Sequence, residues 1–184
     1  MMINKFTNNR IKKLVDVYDI MTAGIASGKW SKSSASLYST SNESKGTAYE
    51  RVFYDHVADI RSGWVSKNYM HTDDKFKYTT YDHMNKPQFG GKFLMDNPDI
   101  WYGSFDEFLN WAMLFSRVIG VTKVENTKLR VATQHIPLEE TYASIGIELF
   151  QEGGIGYDAT PYDPFKDLPE IFKDYQKEYL KKNI

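Results

Sequence analysis

The four histidines, His56, His71, His83 and His135, are the first residues to weigh for chemistry. No two of them stand four apart as a helical zinc site requires, and no His-Glu-x-x-His occurs. His56 falls beside an apolar stripe, where a hydrogen-bonded core histidine is the ordinary explanation. His71-Thr72-Asp73-Asp74 and Asp82-His83 bracket a strand-like stretch. Together His71, Asp73, Asp74 and His83 offer two imidazoles and a pair of carboxylates, a donor set for Mg²⁺, Mn²⁺ or Zn²⁺ in a small metal-dependent hydrolase. A solvated, turn-forming Asp-Asp pair explains the same residues more simply and outweighs the metal reading.

Glycine-rich segments are the second place to look. Glu152-Gly153-Gly154-Ile155-Gly156 follows a run of strand formers; consecutive amides there would suit an anion nest, and a flexible or tightly turned loop explains the same glycines more simply. Gly153, Gly154 and Gly156 are still the candidate ligand loop. A dinucleotide fold needs a helix starting beside Gly156, whereas Pro161 and Pro164 intervene. Gly24-Ile25-Ala26-Ser27-Gly28-Lys29-Trp30 has one residue too few between its glycines for a phosphate loop, and Trp30 replaces the hydroxyl that would hold Mg²⁺. Gly90-Gly91-Lys92-Phe93 lacks the upstream glycine. Glu125-Asn126-Thr127-Lys128 is one residue too long for the Glu-x-Lys of two-metal nucleases. Adjacent Glu139 and Glu140 would face opposite ways on a strand, and no Gly-x-Ser-x-Gly elbow occurs. The absence of cysteine excludes disulfides, thiolate zinc sites, iron–sulfur clusters and thiol nucleophiles. The motifs thus lean away from an enzyme and call for no cofactor.

Composition narrows the partners. The 184 residues carry 23 basic and 24 acidic side chains, a net charge of -1, which gives no strong signal for nucleic acid or an anionic membrane. Lys173, Lys177 and Lys181 make a basic stripe, but Glu170, Asp174 and Glu178 share that helix, as on a solvated face. Apolar runs such as Trp111-Ala112-Met113-Leu114-Phe115 are far too short to cross a bilayer, and the first residues lack the apolar core of a signal peptide. Lysine outnumbers arginine eighteen to five, a bias of AT-rich genomes such as those of low-GC bacteria, their phages and mobile elements. The 13 Tyr, 11 Phe and 4 Trp are a surplus that either lines an interface or fills an aromatic core.

The elements that must position these residues follow from periodicity. Ile11, Leu14, Val15, Tyr18, Met21 and Ile25 mark one face of a first helix. Residues 27–46 are small and polar, and their composition predicts a loop with Trp30, Leu37 and Tyr38 as apolar anchors. The capping box Thr47-Ala48-Tyr49-Glu50 opens a second helix whose apolar face runs to Ile60, with Gly63 as its end. Residues 75–81 predict a strand with Phe76, Tyr78 and Thr80 on one side, and 88–95 a weaker strand. Ser104-Phe105-Asp106-Glu107 caps a third helix reaching Ile119 and stopped by Gly120. Residues 121–124 and 128–133 predict a hairpin, and 142–150 a strand with Ala143, Ile145, Ile147 and Leu149 inward. A last helix from Asp167 buries Leu168, Ile171, Phe172, Tyr175 and Leu180.

The expected fold is α+β, a mainly antiparallel sheet of about five strands packed with helices, in the order α-α-β-β-α-β-β-β-α. One domain is expected, with residues 1–46 as an N-terminal helix and Ser-rich arm on a body at 47–184. The functional expectation is a non-enzymatic assembly or interaction protein, such as a head–tail connector or neck subunit of a phage virion. Its partners would be proteins, in a homo-oligomer or larger assembly, located in a virion or host cytoplasm. The alternatives are a phage- or mobile-element-encoded inhibitor of a host defence or polymerase protein, and the metal-dependent hydrolase above.

Overall fold

A computed structural model describes residues 8–28, 52–53, 60–84, 87–132, 141–151 and 168–183. They form an α+β fold with one mixed four-stranded sheet, in place of the five-stranded, mainly antiparallel sheet expected. The chain divides into two units, Met1–Ile60 with Asn85–Arg117, and Arg61–Met84 with Val118–Ile184.

The first unit is helical where it is described. Helix α1 spans Asn8–Ala26 and buries Leu14, Val17 and Met21. The expected stripe included Val15, which is 37% exposed. Apolar residues at 14, 15, 17 and 18 define two adjacent stripes, and aromatic packing selects between them. Tyr18 sets its ring edge against Trp101, Phe105 and Phe108, with centroids 5.9, 5.6 and 5.4 Å away, and that roll turns Val17 inward.

Two short helices of the second unit, α2 (Lys67–Met70) and α3 (Lys75–Tyr78), precede helix α4 of this unit in the chain. α4 itself covers Pro87–Asp96, where a strand was expected from 88 to 95. Pro87 opens it at a position where proline costs nothing, and Phe89 and Phe93 recur at helical spacing to reach the core. The two glycines that argued for a broken strand instead permit close approach. A Cβ on Gly90 would lie 2.5 Å from Cγ of Phe115. The Trp101 indole N–H donates to the Leu94 carbonyl at 2.6 Å and Asn97 donates to that of Phe93 at 2.8 Å, which satisfies the end of the helix. Helix α5, Phe105–Phe115, starts as expected at Ser104, whose Oγ accepts from the Glu107 N–H at 3.3 Å. It stops short of the expected Gly120. Ser116 Oγ bonds back to the Ala112 carbonyl at 2.6 Å, and the β-branched run that follows is strand.

The second unit holds the sheet. Its strands are β1 (Ile60–Ser66), β2 (Thr79–His83), β3 (Arg117–Thr122) and β4 (Leu149–Gln151), in the spatial order β2-β3-β1-β4. β2 and β3 are antiparallel, with Thr79 opposite Thr122 and His83 opposite Val118; β1 and β4 are antiparallel, with Ser66 opposite Leu149. In a mixed sheet with both outer pairs antiparallel, the central pair β1 and β3 runs parallel.

Four expectations for this unit need correction. The second helix was carried through Ile60 to Gly63, but Ile60–Ser66 is strand, favoured by Trp64 and Val65. Of the strand expected over 75–81, Lys75–Tyr78 is a helical turn because Asp74 accepts from the Lys77 N–H at 3.0 Å, and strand begins at Thr79. The hairpin expected over 121–133 is the end of β3 followed by helix α6, Lys123–Ala132. The alternation over 142–150 is broken by a short helix α7, Thr141–Ser144. Its end is a Schellman motif: Ile147 N–H donates to Tyr142 O at 2.8 Å and Gly146 N–H to Ala143 O at 3.0 Å, with Gly146 at φ +76°. Ile147 and Leu149 are buried as expected, and Ala143 is exposed. The last helix, α8, spans Glu170–Asn183 and buries Phe172 and Gln176, whereas the expected core residue Ile171 is 45% exposed.

Candidate functional site

The C-terminal ends of parallel strands are where open sheets collect ligands, so the ends of β1 and β3 come first. Ser66 closes β1 and caps α2, its Oγ accepting from the Tyr69 N–H at 3.0 Å. Thr122 closes β3 and caps α6 in a capping box: Thr122 Oγ1 accepts from the Glu125 N–H at 3.2 Å, and Glu125 Oε2 accepts from the Thr122 N–H at 2.8 Å. The two caps share one carboxylate. Glu125 Oε2 also accepts from Ser66 Oγ at 2.6 Å and Thr122 Oγ1 at 2.9 Å, and Oε1 accepts from Asn68 Nδ2 at 2.8 Å.

That carboxylate is held in its charged form by its neighbours. Burial, the largest single influence, pushes the Glu125 carboxyl up, but the hydrogen bonds from Ser66, the Thr122 backbone, Asn68 and the Thr122 hydroxyl together outweigh it. It is held ionised, below its ordinary value of 4.5, with three donors on Oε2 and one on Oε1. These bonds make Glu125 a fastener between two strand ends. The other buried ionisable contact in this unit behaves alike. Tyr142 donates to Asp82 Oδ2 at 3.3 Å, and burial first, then the Asp82 charge and the hydrogen bond, push the Tyr142 hydroxyl well above 10.0.

The residues singled out from the sequence fall in three places. Trp30, Leu37, Tyr38, Gly153, Gly154 and Gly156 lie outside the described residues. His71 is exposed at the end of α2, and Asp74 is engaged as the cap of α3. Asp73 is exposed and His83 half-buried on β2. Among the described residues, no group of three or more His, Asp or Glu side chains is placed to hold a metal.

A surface feature that sequence reasoning missed stands next to Asp74. On α3, Phe76 is 98% exposed and Tyr78 51% exposed; on the first turn of α6, Val124 is 68% exposed. Three exposed lysines adjoin them in sequence, Lys75 and Lys77 on α3 and Lys123 on α6. Lys75 Nζ donates to the Tyr69 carbonyl at 2.8 Å and lies 4.4 Å from the centre of the Tyr69 ring. Lys77 Nζ lies 4.9 Å from the centre of the Tyr78 ring, and Lys123 Nζ donates to the Lys77 carbonyl at 2.6 Å, tying α6 to α3. Among the described residues, none of these three ammonium groups is bonded to a carboxylate. The signal was present in Asp73-Asp74-Lys75-Phe76: an aspartate N-cap turns the stretch helical and throws Phe76 outward.

No protein family, curated protein or solved structure matches the chain.

Proposed function

We propose that this chain is a non-enzymatic assembly protein that works by binding protein partners, copies of itself included. The observation that carries the reading is Phe76, a phenylalanine 98% exposed on a capped helix and flanked in sequence by lysines. A lone exposed apolar residue needs no explanation, but exposed Phe76 and Tyr78 on α3 and exposed Val124 on α6, two elements tied by Lys123, together have the aromatic and apolar composition of an interface. The buried polar groups point the same way, since Glu125 and Tyr142 are engaged in holding the fold. A virion component such as a head–tail connector or neck subunit is the concrete form of this reading. The viral attribution draws on the lysine-rich composition, and Trp30, Leu37 and Tyr38 are the sequence's expected anchors for a contact to a neighbour.

The test is the absolute mass of the full chain by light scattering over a wide concentration range. Assembly that grows with concentration and weakens when Trp30, Leu37 and Tyr38 are replaced by serine supports the reading. Those substitutions are preferable to deleting residues 1–46, which would remove the buried Leu14, Val17 and Met21 of α1. A monomer at every concentration, captured one-to-one by a host protein, would replace self-assembly with the inhibitor alternative.

A further inference from the structure

A second feature of the sheet unit is a row of cations and tyrosines. β2 and β3 pair with Tyr81 opposite Gly120. The Tyr69 ring of α2 lies in the space that glycine leaves, since a Cβ on Gly120 would stand 2.8 Å from Tyr69 Cε2. Tyr69 thereby meets Tyr81, with ring centres 6.2 Å and hydroxyl oxygens 3.2 Å apart. Each ring carries a cation. The Arg61 guanidinium lies 4.8 Å from the centre of the Tyr81 ring, and the Lys75 ammonium 4.4 Å from that of Tyr69. Arg61 belongs to β1, which β3 separates from β2, so its side chain reaches across the strand that carries Gly120. These distances join Arg61, Tyr81, Tyr69 and Lys75 in one continuous row.

The row holds two positive charges and no negative one. Among the described residues, neither Arg61 nor Lys75 is bonded to a carboxylate. Lys75 donates to the carbonyls of Tyr69 and Met70 at 2.8 and 3.4 Å, which orient the ammonium and leave its charge unbalanced. Acids close in sequence or fold are committed elsewhere. Asp82, next to Tyr81, faces the other side of β2 by strand alternation and accepts from Tyr142. Asp74 accepts from the Lys77 N–H, Glu125 accepts from Ser66, Asn68 and Thr122, and Glu148 pairs with Lys67. Arg61 is exposed, and stacking on Tyr81 fixes the guanidinium plane while leaving its N–H edge for a ligand. In the hydroxyl pair, one hydrogen lies between the two oxygens. With Tyr69 as its donor, the Tyr81 hydrogen serves an acceptor outside the pair.

We propose that this row is a phosphate site. The Arg61 fork and the Tyr81 hydroxyl bind the dianionic phosphoryl group of a phosphate monoester, and Lys75 supplies the second balancing charge from beyond Tyr69. A supported guanidinium with no acid of its own suits the two parallel bonds by which arginine holds a phosphate. A carboxylate brings one charge to a row with two cations, whereas a monoester is a dianion above its second ionisation at about 6. The site goes beyond the assembly reading and is independent of it, because ligand binding and self-association are read in separate measurements.

The probe is phenyl phosphate, titrated by calorimetry into the full chain at neutral pH, where one saturable site is expected. Arg61→Met should weaken binding about tenfold to a hundredfold, the value of a hydrogen-bonded charge. Arg61→Lys keeps the charge without the fork or its stacking, and should still lose about tenfold. Tyr81→Phe keeps the ring under Arg61 and removes the hydroxyl, for a loss of about fivefold. Lys128→Met removes an exposed cation outside the row and should leave the affinity unchanged. Affinity should fall as pH drops below about 6, where the probe loses its second charge. Melting temperatures without ligand confirm the fold of each variant; should Arg61→Met not fold, Arg61→Lys and Tyr81→Phe decide the case. A phosphotyrosine peptide that binds no tighter than phenyl phosphate assigns the site to free monoesters, and a tighter one assigns it to a monoester borne by a protein partner. The phosphate site is overturned by any of five results: no saturable binding, an Arg61→Lys affinity equal to that of the unmodified chain, an equal loss in Lys128→Met, an affinity indifferent to pH, or acetate binding as tightly as phenyl phosphate. Each of these leaves the assembly reading as it stands.

Discussion

Replacing Glu125 tests whether its carboxylate is a fastener. In Glu125→Ala, Ser66 Oγ and the Thr122 N–H lose an acceptor they reach at 2.6 and 2.8 Å. Ser66 is fully buried, so water cannot replace the acceptor there, and an abandoned buried donor costs about 1–3 kcal/mol. Asn68 is exposed and Thr122 half-buried, so their donors can turn to water at little cost. Loss of the capping box adds about 1 kcal/mol. The total is a destabilisation of roughly 2–4 kcal/mol, a large share of the stability of an ordinary domain. Glu125→Gln keeps a carbonyl for the three donors that converge on Oε2 and exchanges charge-assisted bonds for neutral ones. It should cost less, about 1–2 kcal/mol. Urea unfolding measures both. The pH dependence is a separate check. Because the folded state holds the carboxyl below 4.5, ionisation stabilises the fold above that pH, and the contribution disappears as pH falls through the folded value. The gap between the native chain and Glu125→Gln should therefore narrow under acid. A Gln variant less stable than the Ala variant, or an Ala variant within about 0.5 kcal/mol of native, would refute the reasoning.

Three further outcomes are expected. Tyr142 is held protonated in the fold, so its contribution is fully present below pH 10.0 and lost as pH rises through the raised folded value; Tyr142→Phe should flatten the alkaline limb of a melting-temperature profile. Gly90→Ala should destabilise by about 1–3 kcal/mol in denaturant titration, against the usual helix-favouring effect of alanine, because the new methyl meets the Phe115 ring. Lys92 and Asp96 form an ion pair at 3.0 Å with both side chains nearly buried, so Lys92→Met should cost about 3–5 kcal/mol, and adding Asp96→Leu should recover much of it.

Sequence reading succeeded where a local device and the hydrophobic period agreed. Ser104 with Glu107 and the apolar run after them located α5, and Leu168 with Phe172 located the inner side of α8. It failed where short-range chemistry contradicted the period. Thr122-Lys123-Val124-Glu125 is a capping box of the kind used successfully at Ser104, but the β-branched residues around it resembled a hairpin. Phe76 and Tyr78 alternate like strand residues, and only the Asp74 cap reveals the turn that exposes them. Gly90 looked like a strand breaker because its use is tertiary: the glycine is required by Phe115, a residue no local window contains. The Glu125 cluster was illegible for a similar reason, since Ser66 and Thr122 become neighbours only once β1 and β3 pair.

The register of β2 and β3 bears on how the two units can be separated. His83 faces Val118, so the chain leaves β2 and re-enters β3 at one place, as in a tight hairpin. Helices α4 and α5 lie between β2 and β3 in sequence and belong to the helical unit, whose other part comes from residues before β1. Closing so long an excursion costs little more than closing a short one, because the entropy rises only with the logarithm of length. The two units therefore cannot be cloned as successive fragments, and a truncation series from either terminus damages one of them without isolating the other. A circular permutant, with new ends placed between Met84 and Asn85, would keep every strand intact and test how far the excursion folds from its own information.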